Sequence, residues 1–347
     1  MTDAIKPARC FTNPTIETLS STMRAFVTGE KGFLAKNFPQ SFSKYGFVVV
    51  SGEGKGLLEN NKGEPCVHSN NETAWADFFR NEKIDLVVHN AAVVGTDVVA
   101  LNQRESTLTN VGGTHTISRA AQSASVPVCY MGTSVIYDTP AYQDSVITEA
   151  SVHAPGTFYG AQKLSGEHIV RACCDDWLIM RPLFAYGGVG DMNSLPAKTY
   201  YAHKSGAGKI DMFLNPQKRK DYMHVNDFCD AVALACSKGL WGRDYNVSAE
   251  EPLMTSEIVQ MMSEIANSDL NEVIQWHPDT DYLGNHLLSS ETFRKETGWS
   301  PGIQFREGLM RSYASIFKDE SDYNPLEHLQ KAETLGTDLA GFYPKSS

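Results

Sequence analysis

Short apolar runs alternate with stretches of helical periodicity through the first half of the chain. Arg24-Ala-Phe-Val-Thr28 predicts a buried strand, and Gly29 to Gly32 turn it into a helix running through Tyr45. Phe47-Val-Val-Val50 predicts the next strand. A helix around Trp75 to Asn81 leads into the strand Asp85-Leu-Val-Val-His89. A helix over Gln103 to Ser123 is followed by the strand Val128 to Met131. The helix Phe158 to Cys173 then precedes the strand Trp177-Leu-Ile-Met180. From about residue 182 the regularity drops and Gly, Pro and aromatic residues rise. Helical segments return near 255–266 and 304–317. The alternation predicts an α/β fold, a doubly wound and mostly parallel sheet with a smaller C-terminal lobe. The expected divisions are a loose extension at 1–22, a dinucleotide-binding domain at 23–181 with later segments returning to it, a mainly substrate-binding lobe at 182–320, and a tail at 321–347.

Composition narrows the class. The chain has 347 residues, 41% apolar and 20% charged, as in soluble globular proteins. No apolar run reaches the roughly 18 residues of a membrane span, and the first residues lack a signal-peptide stretch. The net charge of −11 argues against nucleic acid as a bulk partner, while Lys218-Arg219-Lys220 could still hold a small anion. Seven cysteines with no CxxC suggest neither a disulfide framework nor a metal site, so a cytoplasmic location is expected. The ten histidines contain no HxxxH or HExxH, and no metal is placed.

Two local patterns carry chemistry. Tyr159 and Lys163 lie four apart on a helix and share one face. An ammonium beside a phenol favours the phenolate and lowers its pKa from about 10 towards neutrality. Such a phenol can exchange a proton with a sugar or alcohol oxygen, and Thr133 could hold the same oxygen. Upstream, Gly29 and Gly32 lie three apart between a strand and a helix. That spacing lets the backbone approach a pyrophosphate at the helix N-terminus, with Lys31 and Phe33 beside it. A dinucleotide cofactor is therefore expected.

With these motifs in order, the chain resembles the extended short-chain dehydrogenase/reductases, the nucleotide-sugar epimerase/dehydratase family. Thr28 to Phe33 match TGxxGF. His89-Asn90-Ala91-Ala92 resembles the cofactor-lining strand end, and Asn110 to Thr114 resembles NxxGT. Thr133, Tyr159 and Lys163 match the catalytic positions. Arg181 to Gly187 resembles RPxNxYG, and Lys220 to Asp227 resembles RDxxHVxD. Gly298 to Pro301 with Glu307-Gly-Leu309 resembles the C-terminal signature. The resemblance covers about residues 24–317. It implies a Rossmann domain, a bound NAD(P), a nucleoside-diphosphate sugar and a homodimer. Tyr159 would move the hydroxyl proton, Lys163 would hold the cofactor ribose, and Thr133 would hold the reacting oxygen. Arg219 or Lys220 would pair with the diphosphate, and Val94 and Ser134 would line the substrate site.

Departures from the family pattern refine the expectation. Phe184 replaces the asparagine of RPxNxYG, and Lys220 replaces the arginine of RDxxHVxD. Ser51 stands where NAD-using members carry a carboxylate, although Glu53 is close. With Lys31 and Lys55 nearby, this leans the cofactor towards NADP. Ser69-Asn70 replaces the usual acidic residue near the adenine. Ser134-Val135 replace the acid and base that 4,6-dehydratases place after the threonine, and Glu149 is the only obvious substitute, so dehydration is disfavoured. The stretch Ala91 to Gly95 is similar to GDP-fucose synthase, but Val135 and Val189 stand in place of its cysteine and histidine. The favoured expectation is an epimerase acting at carbon 4. The alternatives are an NADPH-dependent 4-keto-sugar reductase and a catalytically silent nucleotide-binding scaffold.

Overall fold

A computed structural model describes residues 22–50 and 71–317, apart from 138, 143–144, 207 and 282. Residues 1–21 of the expected extension, the tail at 321–347, and Ser51, Glu53, Lys55 and Ser69-Asn70 lie outside the described residues. The first half runs β1 (Met23–Val27), α1 (Phe33–Ser43), β2 (Phe47–Val50), α2 (Glu72–Asn81) and β3 (Leu86–His89). Next come α3 (Thr96–Leu101), α4 (Gln103–Thr107), α5 (Thr114–Ala124), β4 (Val128–Met131), α6 (Phe158–Cys173) and β5 (Trp177–Pro182). The single helix expected over Gln103 to Ser123 is α4 and α5 joined by a π-helical turn, Leu108–Gly113. That wider turn brings Asn110 inward, as the functional contacts below require.

The second half is less regular. It contains β6 (Phe184–Tyr186), α7 (Leu195–Ser205), β7 (Ile210–Met212), β8 (Arg219–Lys220), β9 (Tyr222–His224) and α8 (Val225–Ser237). It ends with β10 (Arg243–Val247), β11 (Leu253–Met254), α9 (Thr255–Ala266), β12 (Ile274–Trp276), α10 (Glu291–Thr297) and α11 (Phe305–Phe317). Six parallel strands form the main sheet in the order β10-β5-β4-β3-β1-β2. It is the Rossmann-type arrangement. Strand order reverses between β1 and β3, where such sheets open a crevice at the carboxyl ends of the strands.

Each face of the sheet is covered. One core joins Ala25, Val27, Phe38 and Phe42 to Phe228, Val232 and Phe293, so α1, α8 and α10 share a face. The other joins Phe26, Trp75, Phe79, Ile117, Val128 and Val170 under α2, α5 and α6. Strand β10 pairs with β5, so the chain returns to the main sheet after residue 240. A third core, including Tyr186, Tyr200, Met262 and Leu309, holds the smaller lobe together. Three two-stranded pairs, β6 with β9, β7 with β12 and β8 with β11, frame that lobe.

Candidate active site

The carboxyl ends of β1, β3, β4 and β5 open onto a cleft of about 1140 Å³ between the sheet and the smaller lobe. That lies just above the roughly 300–1,000 Å³ of a single ligand pocket. Gly29 adopts φ of +72°, and a Cβ there would lie 2.9 Å from the Cα of Ala91. Only glycine fits this close crossing of the β1 and β3 ends. Gly32 caps α1 without a side-chain hydrogen bond. Phe33 and Leu34, in the first turn of α1, line the cleft, and the N–H groups of a helix's first turn lack partners within the helix, which suits a phosphate.

A buried polar chain fixes the floor of this cradle. The Thr28 hydroxyl accepts from the backbone N–H groups of Asn90 at 3.0 Å and Ala91 at 2.9 Å. With both acceptor positions taken, its hydrogen goes to Nδ1 of His89 at 2.8 Å. His89 therefore carries its proton on Nε2, which donates to Thr114 at 3.0 Å, and Thr114 donates to the Asn110 carbonyl at 2.7 Å. Burial, with Lys163 nearby, holds the His89 pKa down at about 3, so the ring is neutral.

Thr133 leaves β4 and starts a short 3₁₀ turn, Ser134–Ile136, with its side chain accepting from the Val135 N–H at 3.3 Å. Helix α6 begins at the next face. Thr157 caps it through the Gly160 N–H at 3.1 Å. A Cβ on Gly160 would approach the Val135 carbonyl to 2.6 Å, so the absence of a side chain lets α6 press on the 3₁₀ turn. This contact sets the register of Tyr159 against Thr133, and both line the cleft with Lys163.

Lys163 is 3% exposed. Its ammonium stands 4.1 Å from the centre of the Tyr130 ring. Burial pulls its pKa down to about 7, and Glu167, one turn further along α6, opposes that shift. Glu167 is in turn held bidentately by Arg181, at 2.8 Å to both Nε and Nη2. Arg181 also reaches the Tyr137 hydroxyl at 2.9 Å and Asp244 at 2.7 Å. A charge inside the otherwise apolar run Trp177 to Pro182 was the sequence signal for such a buried partner.

The sequence-derived candidates separate into two groups. Gly29, Lys31, Gly32, Phe33, Asn90, Ala91, Ala92, Val94, Thr133, Tyr159 and Lys163 line the one cleft. Asn110 does not. Its amide accepts from the Val93 N–H at 2.7 Å and donates to the Val93 carbonyl at 3.0 Å, so it positions the strand end instead of lining the cleft. Ser134 is buried in the 3₁₀ turn, outside the cleft lining. The basic pair is also placed differently from expectation. Lys220 is fully buried, with its ammonium on Asp281 at 2.9 Å and the Gly284 carbonyl at 2.6 Å. Arg219 is exposed on β8 and is not part of the lining either. Residues that the motifs did not single out do line it: Asp97, Asp191, Asn193, Lys198 and Phe213. They come from the less regular stretches between motifs, where spacing carries little information.

The model of the NAD dependent epimerase/dehydratase family matches residues 25–248. A dTDP-D-glucose 4,6-dehydratase of Homo sapiens is 23% identical over 248 residues, covering 67% of this chain and 69% of the relative. Among solved structures, UDP-glucuronic acid 4-epimerase from Bacillus cereus, in complex with UDP-glucuronic acid and NAD, superposes with a TM-score of 0.72. It is 18% identical, with 85% of this chain and 99% of that one covered. RMD from Pseudomonas aeruginosa, complexed with NADPH, gives a TM-score of 0.70 at 19% identity, covering 85% and 99%.

Proposed function

The chain belongs to the NAD dependent epimerase/dehydratase family of sugar-nucleotide enzymes, and from that premise we propose that it is an epimerase acting at carbon 4 of a nucleoside-diphosphate sugar. The observation that carries this reading is the convergence of Thr133, Tyr159 and Lys163 on one cleft beside a glycine-built dinucleotide cradle. A nicotinamide bound in that cradle would accept a hydride from the sugar carbon and return it. Gly29, Gly32, Phe33 and the Asn90–Ala92 strand end would hold the cofactor's phosphates and ring. Tyr159 would take the proton of the reacting hydroxyl and give it back. Thr133 would donate a hydrogen bond to the oxygen as charge develops on it. Lys163 would supply the positive charge that makes the phenolate accessible near neutral pH. The experiment that tests the reading is incubation of the purified enzyme with NAD(P) and a panel of nucleotide hexoses. Interconversion of carbon-4 epimers without net cofactor consumption supports it, whereas stoichiometric consumption of NADPH with a keto sugar would make it a reductase.

Although a relative is named a 4,6-dehydratase, water loss is not the reaction proposed. Elimination across carbons 5 and 6 needs a base and an acid near the sugar. Val135 has no acceptor, and a serine hydroxyl such as Ser134 is too weak a base unaided. Glu149, the carboxylate that the sequence offered as a substitute, is committed elsewhere. Its carboxylate accepts from the Asn246 N–H at 2.9 Å and the Thr292 hydroxyl at 3.1 Å, outside the cleft. Mass analysis of the same incubations should show products of unchanged mass. A product lighter by one water, formed at catalytic rates, would refute the epimerase reading.

The cofactor preference proposed is for NADP. Lys31 lines the cleft within the glycine turn, and Ser51 follows β2 where a carboxylate would repel a 2′-phosphate. One charge-assisted phosphate contact is worth roughly 1.5–3 kcal/mol, so NADP should bind about 10- to 100-fold more tightly than NAD. Titrating both into the purified protein checks this. Tighter binding of NAD would show that Glu53, also in that segment, sets the preference.

A further inference from the structure

Two departures from the family pattern, Phe184 and Lys220, meet in the structure. The Lys220 ammonium lies 5.8 Å from the centre of the Phe184 ring, which packs on Tyr222 at 5.1 Å between centres. Phe184 and Tyr222 face the cleft, whereas Lys220 sits behind them on Asp281 and Gly284. The aromatic wall and the ion pair together withdraw the cation that the motif would offer a diphosphate.

A different cation faces the cleft. Lys198 lies one turn into α7, on the smaller-lobe side, and lines the same cleft as the glycine turn that would hold the cofactor phosphates. The charged groups facing it are Asp97 on α3 and Asp191 before α7. Asp191 is already saturated. It accepts from the Gly187 N–H at 2.7 Å, the Ser194 N–H at 3.2 Å and the Ser194 hydroxyl at 2.6 Å. An incoming oxyanion would compete with both carboxylates for the Lys198 ammonium, and Asp97 is the one of the two not shown tied up by the turn before α7. Asn193 lines the same wall and adds an amide. We propose that Lys198, and not Arg219 or Lys220, is the cation that holds the diphosphate of the substrate.

This inference rests on the nucleotide-sugar reading, and its test separates the two. The protein is first saturated with NADP or NAD. UDP, GDP, CDP, ADP and dTDP are then titrated into the wild type, Lys198→Met, Lys198→Arg and Arg219→Gln. At least one diphosphate should bind the wild type. Lys198→Met should weaken it by about 10- to 100-fold, the worth of a charge-assisted contact, while cofactor affinity is kept. Lys198→Arg should recover most of the affinity because it keeps the charge. Arg219→Gln should change it by no more than about 5-fold, as for an exposed charge. Unchanged diphosphate affinity in Lys198→Met overturns the proposal. So does a loss in Arg219→Gln of the same size, or a loss of cofactor affinity in place of diphosphate affinity. If none of the five diphosphates binds the wild type, the nucleotide-sugar reading itself is overturned, and this proposal with it.

Discussion

Replacing Tyr159 by phenylalanine should lower turnover by about 10²–10⁴-fold, the range for losing a general acid–base, with little change in fold or cofactor affinity. The substitution removes one oxygen from a side chain on the second residue of α6 and leaves the ring in place. The elements that position it are untouched: the Thr157 cap, and Gly160 against the Val135 carbonyl. Thr133 has a hydroxyl in the same cleft, and its oxygen accepts from the Val135 N–H. It can hold the reacting oxygen without replacing the proton carrier. Steady-state rates of the two proteins, with cofactor titrations as a check on folding, decide the matter. Near-wild-type turnover in the phenylalanine protein would show that the proton travels through another group.

Lys163→Met should make the protein more stable and nearly inactive. In the unfolded chain this lysine titrates near 10.4, as lysines do. In the folded protein, burial brings it to about 7. At or below pH 7 the folded state must keep a desolvated ammonium, at a cost on the order of 4 kcal/mol. Part of that cost is offset by the Tyr130 ring, worth roughly 0.5–2 kcal/mol, which methionine forfeits as a cation–π contact. The net gain for methionine is therefore about 2–3.5 kcal/mol near neutrality. Its removal does not strand Glu167, which keeps Arg181 and Arg171. Between the two lysine pKa values the unfolded wild-type chain binds more protons than the folded one, so wild-type stability rises with pH. The advantage of the methionine protein should be largest at and below about pH 7 and fade towards about pH 10. Thermal melts of both proteins across that range measure it. A methionine protein that melts lower than wild type at about pH 6 would contradict the assignment.

Much of the parallel sheet was legible because its strands are short apolar runs flanked by turns. The runs at Phe47–Val50 and Val128–Met131 coincide with β2 and β4. The π-helical turn at Leu108–Gly113 was not legible, since a helix with one inserted residue keeps nearly the same periodicity. The cleft's sheet side could be read from glycine spacing and the tyrosine–lysine pair, which are local patterns. Its lobe side could not. Lys198, Asp191 and Phe213 reach the cleft only through tertiary packing of short strands and one helix. Lys220 shows the limit most plainly. Its place in a motif suggested a ligand contact, and only the fold reveals that Asp281, sixty-one positions later, has claimed it.

The return of β10 to the main sheet has a mechanical consequence. The chain passes between the two sets of elements at Pro182–Phe184, His224–Val225, Val247–Leu253, Trp276–Glu291 and Trp299–Phe305. A gene cut at residue 182 would therefore not yield a separable binding module, because β10, α8 and the aromatic pair Phe293–Trp299 would be missing from the sheet's edge and face. The same interleaving ties the lobes with several tethers in place of one. A swing that widened the cleft would have to bend all of them together, so its two walls are coupled like plates laced at several points and do not turn about one free joint.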